Sequence, residues 1–443
     1  MASPLARDST SGMLDTAISV TLFQAAASYQ ATLAIKLAQA GMLRRVFRFG
    51  PELQILEANV TGHLKLVKQF PFYRVLNRYL WAAWGLLPGR CGPQLPMVAT
   101  SWLAARIAAR WLPREGIFHG LPGLALPSLQ ARVGNSKSLL ENATLHPRQW
   151  QREVLYECAQ AGVRASDCAA LLPAALIRRL EREYELCDAI IVPSTTARRS
   201  FEEFGLAKKA LLVWPGVDEQ FFSPASSHAP SPVFRACFVG RIELSKGIAY
   251  LLKAWKALGL PQGELVLAGP VQPEMKSMLK EGAACNVRVT GTLSPREVVD
   301  LYRTASVFVH PSSNEGLGLV LLEAMACGLP VIATNRSGAE DCVSNGKDGI
   351  VIPARRVDAL AEAILWCWRH QQDLPAMGAA ARRKIEQRFA RAHYEERQIA
   401  LYRSLAGQQP LPGTVPQPSL FPDAGSANSR RGNFSGGISQ SMR

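Results

Sequence analysis

The spacing of apolar and polar positions divides the chain into alternating short strands and amphipathic helices. Apolar runs at residues 17–23, 46–49, 116–120, 138–146, 189–193 and 211–214 read as buried strands. A helical repeat follows the first of them at 25–40, where Leu33, Leu37 and Ala40 share a face and Gly41 ends the helix. A second helical period covers 198–204. Residues 223–232, SPASSHAPSP, have no period and predict a linker. The pattern then restarts, with strands at 236–240, 265–268 and 287–290, helices at 249–258, 273–281 and 295–304, and a strand–loop–helix–strand unit over 307–334. Helices at 359–369 and 379–405 follow. Short strands separated by helices predict an α/β protein with parallel, doubly wound sheets.

Length agrees with two cores, since 443 residues exceed what one core organises. The predicted layout is a first domain over 1–222, the linker, a second domain over 233–388, a further helix at 389–407 and a disordered tail over 408–443, rich in Pro, Gly and Ser.

Charge adds a question about partners. The net charge is +15, and from Lys36 to Arg114 basic residues greatly outnumber the two acids Glu52 and Glu57. Residues 63–87, HLKLVKQFPFYRVLNRYLWAAWGLL, allow two readings. One is a helix on anionic lipid, with Lys65, Lys68, Arg74 and Arg78 at headgroups and Trp81 and Trp84 in the boundary. The other is a domain helix with its aromatics in the core. No recognition motif points to nucleic acid. Nine scattered cysteines without CxxC spacing argue for a reducing cytoplasm and against a zinc site. The polar N-terminus has no apolar core of a signal peptide, and no apolar run reaches the roughly 18 residues of a membrane span.

The chemistry concentrates in 307–334, VFVHPSSNEGLGLVLLEAMACGLPVIAT. A strand delivers the loop SSNEGLG to a helix expected to begin near Leu317, whose free N–H groups suit phosphate. Gly316 and Gly318 allow a ligand close to the backbone. Glu315 and Glu323 are eight positions apart, a rise of about 12 Å on a helix. Hydrolytic carboxylate pairs sit roughly 5–9.5 Å apart, so this spacing suits ligand holding better than acid–base hydrolysis. VGRIELSKG, residues 239–247, adds Gly240 and the cations Arg241 and Lys246 after the domain's first strand, where a diphosphate could be neutralised. His119 and His146 are predicted at carboxyl ends of first-domain strands, where ligands bind in parallel sheets.

With these motifs, LVLAGP and SGAEDCVSNGKDGIVIP, the chain resembles the family-4 retaining glycosyltransferases of the GT-B fold, group 1 type. The resemblance covers nearly all of the second domain and, more weakly, IIVPSTTARRSFEEFG and WPGVDEQFF in the first. It implies two Rossmann-like domains facing a central cleft, with the 389–407 helix returning to the first. It implies that Arg241 and Lys246 hold a donor diphosphate, that Glu315 with Gly316, Leu317 and Gly318 holds the sugar, and that Glu323 holds the ribose. His146, in Thr144-Leu145-His146, would reach the donor sugar, with His119, Gly269 and Gly291 as secondary candidates. The usual glycine pair after the first strand is replaced by Ala26, Ala27 and Ser28.

The implied activity is retaining transfer of a hexose-type sugar from a UDP- or GDP-sugar to a glycan or lipid-linked glycan, as in surface polysaccharide assembly. No metal or cofactor is expected, and the location would be cytoplasmic, at the inner membrane face. Epimerase, phosphorylase and non-catalytic binding are the competing readings.

Overall fold

The computed structural model describes residues 18–25, 28–49, 67–69, 102–103, 105–110, 112, 115–132, 134–168, 170–225, 233–282 and 286–408. The loop at Ala26 and Ala27, most of 63–87, most of the linker and the tail from 409 lie outside these residues.

Seven strands form the first sheet: β1 Val20–Ala25, β2 Leu43–Phe49, β3 Val67–Gln69, β4 Ile117–Gly120, β5 Lys137–Glu141, β6 Ala189–Val192 and β7 Ala210–Leu212. Their order is β3-β2-β1-β4-β5-β6-β7, with every neighbour parallel. Six strands form the second: β8 Phe234–Val239, β9 Gly263–Ala268, β10 Val287–Gly291, β11 Val307–His310, β12 Val331–Thr334 and β13 Gly349–Ile352. Their order is β10-β9-β8-β11-β12-β13, again all parallel. In both sheets the winding reverses beside the first strand, between β1 and β4 and between β8 and β11. Such switch points leave a crevice at the carboxyl ends of the strands. The second-sheet core strands read as near-continuous apolar runs because both faces are covered, and Phe308, Val309, Ile332 and Ala333 have no solvent exposure.

Two helices absent from the periodicity reading shape the molecule, Pro147–Gln160 and Ala174–Leu186. The first starts with His146 as N-cap and Pro147 at the first turn. Its Val154 and Cys158 enter the core of the second sheet alongside Phe238 and Leu251. The same helix buries Glu153 and Glu157, which arginines just beyond the ends of β12 and β13 satisfy. Arg336 Nη1 and Arg355 Nη2 each donate to Glu153 Oε2 at 2.7 Å, and Arg355 Nε donates to Glu157 Oε1 at 2.7 Å. Two of the five buried residues of this helix are therefore glutamates, which hides its period.

Three expectations change in detail. Val67–Gln69 is a strand paired with β2, so this part of the stretch read as an interfacial helix is sheet. The helix expected over 273–281 is a short 3-10 turn, Pro273–Met275, followed by Lys276–Gly282. The long terminal helix is broken: Leu374–Lys384 leads into a π-turn, Ile385–Phe389, and Arg391–Leu405 begins after Ala390. Ala390 bridges to Val217, which fixes the break.

The helix Arg391–Leu405 lies against the first sheet. Tyr394, Leu401 and Tyr402 share a core with Val20, Leu33 and Ile117. His119, on β4, is 3% exposed, and its Nδ1 bonds the Tyr402 hydroxyl at 2.7 Å. Its Nε2 lies 3.4 Å from Glu141, which also accepts from the Tyr394 hydroxyl at 2.7 Å. The ring expected at the ligand crevice is thus committed to the returning helix. Tyr402→Phe should destabilise the protein by about 1–3 kcal/mol in urea unfolding, because a buried imidazole nitrogen loses its partner. Nucleotide binding should be unchanged.

Candidate functional site

The switch point of the second sheet brings Lys246 and Glu315 together. Val239 ends β8, and the chain passes through Gly240 and Arg241 into a 3-10 turn at Leu244–Lys246. His310 ends β11, and the loop 311–318 follows beside that turn. The two are tied by Ser313 N donating to Ser245 O at 3.1 Å and by the Ser312 hydroxyl donating to the same oxygen at 3.2 Å.

Lys246 Nζ donates to Glu315 Oε1 at 2.7 Å, and His310 Nε2 lies 2.6 Å from Glu315 Oε2. Burial would raise the Glu315 carboxyl, but Lys246 and then His310 outweigh it and hold the group well below the ordinary carboxylate range. With Glu315 ionised, His310 Nε2 carries the hydrogen. Lys246 and Glu315 are 14% and 17% exposed, whereas Arg241 is 45% exposed. Arg241 is steadied by Glu243, a fully buried carboxylate that also accepts from the Ser245 hydroxyl at 2.6 Å. His310 and Glu243 were missed in the motif reading. Each sits beside a motif residue, but only the fold shows what it bonds.

The helix of this unit runs Leu319–Ala326 with Gly318 as N-cap and no side-chain cap. It starts later than expected, so Glu315 lies in the loop and the helical-rise estimate for the Glu315–Glu323 separation does not apply. Gly318 N donates to Ser337 O at 3.4 Å. The first-turn amides without an intrahelical acceptor are therefore those of Leu319 and Val320 rather than Gly318. The Leu317 side chain joins the core, which leaves only its backbone to face a ligand.

Glu323 lies on that helix with the Tyr302 hydroxyl at 3.5 Å. Burial pushes its carboxyl up to about 7, with the Tyr302 hydroxyl opposing weakly. Gly240, Gly269 and Gly291 line up across β8, β9 and β10: Gly240 N donates to Ala268 O at 2.9 Å and Gly269 N to Gly291 O at 2.8 Å. A Cβ at Gly269 would fall 1.9 Å from Gly240 O, so only glycine lets these strand ends lie together.

His146 has a different setting from the strand end that was expected. β5 stops at Glu141, and His146 caps the helix Pro147–Gln160, its ring accepting from Arg148 N at 3.4 Å. The ring is 2% exposed, stacked on Phe204 at 4.1 Å and edge-on to Phe201 at 5.3 Å. Burial lowers its pKa to about 4, so it is neutral at physiological pH. Backbone and Ser194 from the first half, rather than the His146 ring, meet the loop 311–318. A Cβ on Gly316 would lie 2.7 Å from Ala143 O and 3.0 Å from Thr144 Cα. Ser194 Oγ donates to Gly316 O at 2.5 Å, and Asp341 accepts from Thr195 N and Thr195 Oγ1 at 2.8 and 2.7 Å. The two halves therefore meet directly at the loop 311–318.

Residues 220–384 match the family described as Glycosyl transferases group 1. This part of the chain is similar to that family. The group 1 region contains Arg241, Lys246, His310, Glu315 and Glu323. The chain is 31% identical over 267 residues to a D-inositol 3-phosphate glycosyltransferase of Corynebacterium urealyticum, covering 54% of this chain and 61% of that protein. It is 30% identical over 210 residues to an alpha-maltose-1-phosphate synthase of Mycolicibacterium smegmatis, covering 43% and 53%. The chain thus spans less than two thirds of the length of these relatives. Among solved structures it resembles the sucrose-phosphate synthase of Thermosynechococcus elongatus, with TM-score 0.66, 21% identity, and coverage of 88% of this chain and 100% of that one. It also resembles Anabaena HepE in complex with UDP and glucose, with TM-score 0.58, 18% identity, and coverage of 86% and 98%. These likenesses establish the GT-B architecture around the group 1 region. No helix among the described residues is long and apolar enough to cross a membrane.

Proposed function

We propose that the protein transfers a hexose-type sugar from a nucleotide diphosphate sugar to a hydroxyl of a glycan or lipid-linked glycan, with retention at the anomeric carbon. The observation that carries this reading is the meeting of Lys246, His310 and Glu315 at a sheet switch point, beside an uncapped helix N-terminus in a group 1 region. Lys246 and Arg241 supply positive charge for the diphosphate, and the amides of Leu319 and Val320 add the helix end. Glu315, held ionised, accepts hydrogen bonds from sugar hydroxyls. As the bond to the diphosphate breaks, negative charge grows on the leaving oxygen, and fixed donors already in place lower that barrier. The acceptor attacks from the face the diphosphate leaves, and a departing phosphate oxygen takes its proton.

A hexose donor is supported by the UDP and glucose in the HepE complex. A membrane-facing acceptor rests on the basic excess between Lys36 and Arg114. The test is product analysis with UDP-, GDP- and ADP-sugars and candidate glycan acceptors, with and without EDTA. Free nucleoside diphosphate and a glycoside of unchanged anomeric configuration, insensitive to EDTA, are expected. An isomerised nucleotide sugar or a sugar phosphate as product would replace this reading with the epimerase or phosphorylase one.

Glu323 gives the site a pH dependence. Its carboxyl is neutral below about 7 and ionised above, and only the ionised form offers both oxygens to ribose hydroxyls. The donor KM should therefore fall by up to about tenfold between about pH 6 and pH 8, as expected for one group titrating between them. Glu323→Gln should flatten that limb. A wild-type KM independent of pH would remove Glu323 from ribose binding.

A further inference from the structure

The turn 334–337, which leaves the end of β12, cradles the loop 311–318. Thr334 Oγ1 donates to Ser312 O, Glu315 N donates to Arg336 O at 3.1 Å, and Gly318 N donates to Ser337 O at 3.4 Å. The turn is closed on itself by the Ser337 hydroxyl, which donates to Thr334 O at 2.7 Å, and by Arg336 N, which donates to Thr334 Oγ1 at 3.3 Å. The backbone of Glu315 is therefore tied to that of Arg336.

The Arg336 side chain is committed elsewhere. Its Nη1 donates to Glu153 Oε2 at 2.7 Å, on the helix Pro147–Gln160 of the first half. Arg355 Nη2 donates to the same oxygen at 2.7 Å, and its Nε donates to Glu157 Oε1 at 2.7 Å. The Tyr250 hydroxyl completes the set by donating to Glu157 Oε2 at 2.9 Å. Two guanidiniums thus balance two carboxylates. Both glutamates are buried, so water screens these pairs little. Arg355 holds a positive φ of 67°, a strained backbone for a residue with a side chain, and its guanidinium lies 4.0 Å from the Tyr156 ring. Such strain persists only where the surroundings over-determine it, here two glutamates and a ring from one helix. Arg355 anchors the helix to the second half, and Arg336 links the anchored helix to the cradle of the loop.

We infer that Arg336 is a positioning residue for Glu315: its ion pair with Glu153 fixes the turn whose carbonyl holds the Glu315 amide. The consequence for catalysis rests on the sugar-holding role proposed for Glu315. Removing the Arg336 side chain leaves both glutamates paired with Arg355, so the variant should fold.

The test is hydrogen exchange followed by mass spectrometry on the full chain, read at the amides of 312–318 and of β9, with donor kinetics alongside. Arg336→Ala should raise exchange at 312–318 by roughly fivefold or more and leave β9 unchanged, the mark of a local opening. Arg336→Lys should recover part of the protection. Glu153→Gln should act in the same direction, and the double variant should add little to Arg336→Ala, because both remove one pair. Arg336→Ala should also lower kcat by about tenfold with donor KM held within about twofold, as a misplaced group does and lost binding does not. Arg356→Ala, which removes an exposed guanidinium paired with Asp358, should change neither readout. Unchanged exchange at 312–318 or unchanged kcat in Arg336→Ala, an equal rise in β9, or additive single variants would overturn the inference. A wild type that transfers no sugar would overturn the proposed activity, and exchange at 312–318 would still decide whether Arg336 positions Glu315.

Discussion

Lys246→Ala should lower turnover with the nucleotide-sugar donor by roughly 10²–10³-fold, the scale on which removal of one preorganised charge-stabilising donor is felt. Lys246 is sheltered at 14% exposure and bonded to Glu315 at 2.7 Å, so its charge acts where water screens it little. Two effects add in the variant. The diphosphate loses a cation as its charge grows, which lowers kcat more than it raises KM. Glu315 also loses the foremost of the charges that oppose its burial, so its carboxyl moves back up. Activity of the variant should therefore fall away on the acid side at a pH where the wild type is still flat. Steady-state kinetics across pH check both effects. Equal losses in kcat and KM with no new acid limb would assign Lys246 to ground-state binding alone.

Gly316→Ala should cost about 10²-fold in turnover, the scale of an approximately 1 Å misplacement in a positioned site. Its new Cβ would press on Ala143 O and Thr144 Cα across the junction of the two halves. Both are backbone atoms, so neither can swing aside as a side chain end would. The substitution does not enter either core, so circular dichroism and unfolding midpoint should match the wild type. The halves can meet only by shifting the loop that carries Glu315. An active Gly316→Ala enzyme would mean that the Gly316 contact is not part of the working arrangement.

The second half of the chain was legible because its chemistry is local. Strand, loop and helix follow one another within 307–334, so Glu315 and its loop could be placed from spacing alone. Arg241 and Lys246 were legible as the same kind of turn after β8. What stayed hidden depends on distant partners. His310 gains meaning only when Glu315 folds back onto it, and Glu243 only when Arg241 and Ser245 share its carboxylate. The helix Pro147–Gln160 was missed because its buried face carries Glu153 and Glu157, whose partners Arg336 and Arg355 lie far along the chain. His146 was legible as a histidine near a strand end, but five residues past β5 it caps a helix inside an aromatic cluster. The start of the donor helix at Leu319 was misread because two glycines and a leucine continue its apolar pattern upstream.

The most direct test of the donor site is calorimetric titration of UDP, GDP and ADP, and of their glucose conjugates, into the wild type, Lys246→Ala and Arg241→Ala. The Lys246–Glu315–His310 arrangement predicts saturable binding of one nucleotide series, weakened tenfold or more in both variants. Binding of none of them, or binding unchanged in both variants, would contradict it.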